Sequence, residues 1–154
     1  MNLRRALKCD TETLFDIRCS VLENHQSREE LATLGITSDS ISAMVESEDY
    51  ISLVAEVEGR PAGFAMTQIS EAYVFAVFVR PEFEGQGIGK ALMRVTEQGL
   101  RRAGVIEAWL STGADPRLRA VGFYRHLGWR EEGHLEDGQI IFKKKLDNVE
   151  QSSK

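Results

Sequence analysis

Three glycines and a lysine crowded into six residues are the part of this chain whose backbone can do chemistry. Residues Gly85, Gln86, Gly87, Ile88, Gly89 and Lys90 read GQGIGK. Glycine lacks a Cβ, so a ligand can approach its peptide groups closely. Apolar residues then recur at Ile88, Ala91, Leu92 and Val95, which is helical spacing. Ahead of the glycines, Val74 to Val79 is an apolar, β-branched and aromatic run closed by Pro81. That composition predicts a buried strand ended by a residue that cannot donate to a ladder. In a strand, glycine turn and helix of this kind, the first N–H groups of the helix face outward at the positive end of its dipole. Such a nest binds phosphate, and Lys90 adds a cation beside it.

Two common phosphate-binding patterns fail on spacing. A P-loop needs glycine, four residues, then Gly-Lys-Ser/Thr. Gly85 sits one residue too close to Gly89-Lys90, and Ala91 stands where the Mg²⁺-binding hydroxyl belongs. In the dinucleotide fingerprint G-x-G-x-x-G, the third glycine would come one residue later than Gly89, and too little chain follows. A turn that merely joins strand to helix would not need three glycines and a lysine.

The stretch resembles the GNAT superfamily of acyl-CoA-dependent N-acetyltransferases. Their signature is Arg/Gln-x-x-Gly-x-Gly/Ala between a central strand and its helix. Glu84, Gly87 and Gly89 fall on those three places, with Glu84 where Arg or Gln is usual. The backbone cradle does not depend on that side chain. A second block, Ala120, Phe123-Tyr124 and Gly128-Trp129, is similar to the family's A-x-x-x-Y-x-x-x-G-F/W segment. The resemblance runs from Tyr50 to Leu146. It is specific for the cofactor and uninformative about the acceptor.

The resemblance implies an α/β fold: a central, mostly antiparallel twisted sheet with one splayed parallel pair, flanked by helices. It implies acetyl-CoA as cosubstrate and no metal. Backbone groups of Val77, Phe78 and Val79 would grip the pantetheine and give an N–H to the thioester carbonyl. Residues 85–90 would cradle the diphosphate, and Arg117, near a place where the family often has Asn, would reach a CoA phosphate. Tyr124 matches the tyrosine that protonates the departing thiolate. A free phenol has a pKa of about 10, so it carries its proton at neutral pH.

The general base is less well marked. Many relatives have a carboxylate on the central strand near the place of Phe75, but no acid lies between Ala72 and Val79. Glu71, at the start of that strand, is the nearest acid and could act through water. The residue itself reads better as a solvated turn residue than as a base. His25 and His126 are the other proton acceptors, one in a loop and one on an exposed helix face. No cysteine lies near the cofactor motifs, which favours direct attack over a covalent intermediate.

These groups need a scaffold. Strands are predicted at 2–7, 51–57, 62–69, 74–79, 105–110, 129–134 and 139–146. Helices are predicted after Asp10, after Ser27 (a capping box with Glu30), after Thr37 or Ser38, after the glycine turn, and after Asp115-Pro116. Helix 88–104 pairs Glu97 with Arg101 on its wet face. The strand-helix-strand order around it implies a right-handed parallel crossover. Residues 1–146 form one domain, and 147–154 a polar tail. The segment 24–48 reads as a helical cover over the acceptor end.

Composition narrows the class. The chain has 154 residues, 42% apolar and 28% charged, with a net charge of −5. This excludes general affinity for nucleic acid or anionic membranes. Cys9 and Cys19 lack metal spacing and suit a reducing cytoplasm. Arg4, Arg5 and Lys8 are not followed by an apolar segment, so no signal peptide is expected. The apolar run Ile140-Ile141-Phe142 is expected at a sheet edge, where it would pair two copies into a homodimer. The expected function is N-acetylation of a small primary amine. The alternatives are a protein acetyltransferase, acting on lysine or an N-terminus, and a CoA-binding module without catalysis.

Overall fold

A computed structural model of the chain describes residues 1–23, 25–113, 115 and 119–146. The elements are β1 (Asn2–Arg5), α1 (Thr11–Ser20), α2 (Arg28–Thr33), α3 (Ser38–Glu46), β2 (Tyr50–Val57), β3 (Arg60–Gln68), β4 (Tyr73–Val79), α4 (Ile88–Arg102), β5 (Glu107–Thr112), α5 (Arg119–His126), β6 (Arg130–His134) and β7 (Ile140–Lys145). The strands form one sheet in the order β1-β2-β3-β4-β5-β7-β6. Only β4 and β5 run parallel. The expected Arg117 and the tail 147–154 lie outside the described residues.

Period-two patterning sends alternate side chains to two layers. Val54, Phe64, Met66 and Ala76 face α1, α2 and α3, packing with Phe15, Ile17, Leu31 and Val45. Leu53, Ala55 and Ala65 face α4 through Ile88 and Leu92. Further along that side, Met93, Leu110, Tyr124, Trp129 and Phe142 join α4, α5 and the last strands. The apolar stripe of α4 therefore anchors the helix to the sheet. Its N-terminus, with the glycine turn, is fixed at the end of β4.

Local signals set the cover. Ser27 Oγ accepts from the Glu30 N–H at 3.1 Å, and Glu30 Oε1 accepts from the Ser27 N–H at 2.9 Å. Thr37 and Ser40 repeat the arrangement for α3. Asp10 stands at the start of α1, where a cap is expected, but its side chain makes no capping bond there. Its carboxylate accepts from the Arg4 guanidinium at 2.8 and 2.9 Å and from the Leu7 N–H at 2.7 Å. It therefore ties β1 to the start of α1 instead of capping the helix, and Arg4 holds its carboxyl below the usual range.

Two further expectations are corrected. Glu97 is not on a wet face but 6% exposed. Lys144 Nζ of β7 stands 2.9 Å from it, and Trp129 Nε1 donates to it at 3.3 Å. Residues Ile140–Phe142 are not an edge, because β7 lies between β5 and β6. The edge at this end of the sheet is β6, whose five residues, Arg-Glu-Glu-Gly-His, are all exposed. A charged edge of this kind resists pairing with another chain, which removes the basis for the expected homodimer.

Candidate active site

The parallel pair barely pairs. Tyr73 and Trp109 are its one registered couple, stacked with ring centroids 4.2 Å apart. Trp109 Nε1 also donates to the Glu71 carbonyl at 3.2 Å. Past that point β4 and β5 have no registered pairs. The register of β3 against β4 shifts where Met66 pairs with Ala76 and Thr67 with Val74, leaving Phe75 as the extra residue. A bulge of this kind bends a strand and adds twist. It falls at the point where the gap opens.

The gap continues into a cavity of about 990 Å³. One end is the glycine turn. Gly87 caps α4 with φ +80°, a conformation that strains any residue with a Cβ. The first intrahelical bond runs from the Ala91 N–H to the Gly87 carbonyl at 3.0 Å. The amides of Ile88, Gly89 and Lys90 lie ahead of it and have no acceptor inside the helix. All three residues line the cavity, as do Gly85 and Gly87. These features fit a diphosphate. The middle is walled by Val77, Phe78 and Val79 on one side and by Leu110, Ser111 and Thr112 on the other.

Tyr124 also lines this cavity and is 9% exposed. Phe123, Trp129 and Phe142 surround its ring, with centroids 5.0, 6.2 and 5.9 Å away. Burial pushes its phenol well above the usual value, so the group carries its proton throughout the neutral range.

The other end is apolar and aromatic, with Phe15 and Leu22 on the α1 side and Phe64, Phe75 and Phe78 on the sheet. Arg18 is the cation there, 9% exposed. Its guanidinium lies 4.3 Å over the Phe78 ring and donates to Gln26 Oε1 at 2.8 Å. Burial lowers its pKa. Leu31, Ile36 and Ile41 from the 24–48 segment also line the cavity.

The structure thus brings together Tyr124, Val77, Phe78, Val79, Gly85, Gly87, Ile88, Gly89 and Lys90. Gln86 sits in the glycine turn without lining the cavity, and Glu71 is exposed outside its wall. His126 is exposed, and His25 Nδ1 lies 3.0 Å from the Val21 carbonyl. Sequence reading missed Arg18 and Arg119, both on the cavity wall. An arginine on an otherwise mixed helix carries no sequence signal of burial. Among the described residues, no cluster of three or more His, Cys, Asp or Glu could hold a metal ion.

The sequence from residue 11 to residue 129 matches the family model for the acetyltransferase (GNAT) family. The chain belongs to this family. It is 32% identical over 96 residues to the ribosomal protein bS18-alanine N-acetyltransferase of Escherichia coli K12, a match that covers 61% of this chain and 64% of that enzyme. It is 34% identical over 105 residues to the chloroplastic serotonin N-acetyltransferase 2 of Oryza sativa, covering 66% and 49%. The crystal structure of the PaiA N-acetyltransferase of Thermoplasma acidophilum with coenzyme A superposes with a TM-score of 0.82 at 19% identity, over 94% of this chain and 98% of that one. The E. coli S18-alanine enzyme superposes at 0.74 with 20% identity, covering 96% and 94%. The fold is therefore the GNAT fold, and the splayed β4–β5 pair is its opening.

Proposed function

We propose that this chain transfers the acetyl group of acetyl-CoA to a primary amine of a small molecule, by direct attack in a ternary complex. One observation carries the reading. Residues of the glycine turn, of both strands beside the β4–β5 gap, and Tyr124 all line one cavity. Gly85 to Lys90 hold the diphosphate through backbone donors and the Lys90 charge. Backbone groups of Val77, Phe78 and Val79 line the pantetheine arm and supply an N–H to the oxyanion. The neutral amine forms the C–N bond at the thioester carbonyl. The C–S bond then breaks, and Tyr124 gives its proton to the leaving thiolate. The amine nitrogen releases one proton to water, and Tyr124 recovers a proton from water, so the enzyme ends as it began. Glu71, outside the wall, is a bystander in this reading, and the acceptor arrives neutral. Arg117 is proposed as a further phosphate contact. The two cysteines are unbridged, in keeping with work in the cytoplasm. Among the described residues no helix is long and apolar enough to cross a membrane.

The aromatic end under the 24–48 cover favours a compact acceptor. A second reading, acetylation of a protein N-terminus, draws on the similarity to the bS18-alanine enzyme. Thiol release from acetyl-CoA, measured across alkylamines, arylalkylamines and peptides beginning with alanine, tests both. Turnover with small amines supports the first reading. Turnover confined to peptides replaces it with the second. CoA binding without turnover on any acceptor rejects both in favour of a binding module.

A further inference from the structure

The Glu84 carboxylate accepts a hydrogen bond from the Arg119 guanidinium. The Arg119 backbone N–H in turn donates to Glu23 Oε2 at 3.2 Å. All three residues line the cavity. Glu84 immediately precedes the glycine turn and Arg119 opens α5, so the ion pair spans from the wall that carries the free amides to the wall that carries Tyr124. It shares its cavity with those amide-bearing residues, Ile88, Gly89 and Lys90. A carboxylate on that turn is a like charge to the diphosphate, and this is the position where the family signature has Arg or Gln.

We infer that Arg119 is a phosphate-binding residue and that Glu84 occupies it until the cofactor's diphosphate takes its place. The inference rests on the acetyl-CoA reading above. Its chemistry is an exchange of one oxyanion for another. A guanidinium fork receives carboxylate and phosphate oxygens with the same geometry. The Arg119 and Glu84 side chains are 60% and 40% exposed. A pair that open to water is held weakly, so a ligand gripped at several other points can break it. Glu84 then serves the unliganded protein as the counterion of Arg119. Upon exchange it withdraws to solvent, and Arg119 moves its charge onto the diphosphate. The unusual glutamate and the arginine facing it are thereby one device.

Calorimetry tests this with wild type, Glu84→Gln and Arg119→Gln, each checked for an unchanged urea midpoint. The ligands are CoA, dephospho-CoA (which keeps the diphosphate) and pantetheine (which has none), the last measured by competition with CoA. Glu84→Gln should bind CoA and dephospho-CoA roughly two- to fivefold more tightly at low salt, the size expected for a screened surface charge contact. Arg119→Gln should weaken both, and pantetheine should respond to neither change. Unchanged or weaker CoA binding by Glu84→Gln overturns the exchange. A gain that extends to pantetheine, or that is lost with dephospho-CoA, moves it away from the diphosphate and overturns it as well. Wild type that fails to bind CoA at all refutes the acetyl-CoA reading itself, a separate outcome from any of these.

Discussion

The Phe123 ring lies against the backbone of Gly89: a Cβ built on Gly89 would stand 3.1 Å from Phe123 Cζ. The two family-like blocks of the sequence thus touch each other, and α5 is seated on the first turn of α4. Gly89 is open to the cavity on one side and closed by a ring on the other. Its lack of a side chain serves packing as well as ligand approach.

Gly89→Ala should therefore push Phe123 outward and carry its neighbour Tyr124 with it. Stability should barely move. Alanine is favoured over glycine within a helix by up to about 1 kcal/mol, and overpacking costs about as much. Turnover should fall about tenfold, because small misplacements of a reacting group are costly. Steady-state kinetics together with thermal unfolding check this. A fully active variant of normal stability would mean that the ring moves without consequence for Tyr124.

Removing the Tyr124 hydroxyl should slow thiolate departure on the order of 10²-fold, with CoA affinity nearly intact because the ring still packs against Trp129 and Phe142. A pH effect accompanies it. Burial raises the folded-state pKa of Tyr124, so the unfolded chain releases this proton first as pH rises. Stability from this group is complete below about pH 10, the unfolded value, and declines above it. Tyr124→Phe should flatten that alkaline decline while losing turnover at pH 7. A Phe variant with full turnover on a good acceptor would assign the proton to water.

Glu97 should matter to stability alone. Its carboxylate joins α4 to Lys144 of β7 and to Trp129, about two turns along α4 from Lys90 and not among the residues that line the cavity. Glu97→Gln keeps the shape and removes the charge that Lys144 faces. A loss of about 1–3 kcal/mol is expected, read from urea midpoints, with CoA affinity unchanged. A shift within experimental error would mean that Lys144 is satisfied by the Leu127 carbonyl, which it already reaches at 2.8 Å.

What the sequence could reveal depended on whether the signal was local. The glycine turn and the Ser27 and Thr37 caps are set by residues a few positions apart, and each formed where its chemistry required. The burial of Glu97 was not legible, because the groups that cover it come from residues 129 and 144. The true sheet edge was hidden for the same reason: β7 inserts between β5 and β6, and apolar content alone does not order strands. The bulge at Phe75 falls inside a uniform apolar run, which has no local mark for an extra residue. The partner of Glu84 lies on an element that follows a long crossover, so the sequence exposed the departure from the family pattern but not its complement.

The identity of the proton acceptor can be decided by pH dependence. No carboxylate lies on β4, and Glu71 sits outside the cavity wall with its carbonyl bonded to Trp109. An alkylamine with a pKa of about 10 is mostly protonated at pH 7. If the acceptor must arrive neutral, kcat/KM should rise roughly tenfold per pH unit until it approaches the amine's own pKa. If Glu71 removes the proton through water, the rise should stop earlier, at a value set by the enzyme. Wild type and Glu71→Gln, each assayed with two amines of different pKa, separate the two. We expect the plateau to follow the amine and the variant to match wild type. A plateau fixed for both amines and lost in Glu71→Gln would instead make Glu71 the base, reached by a water chain from the turn before β4.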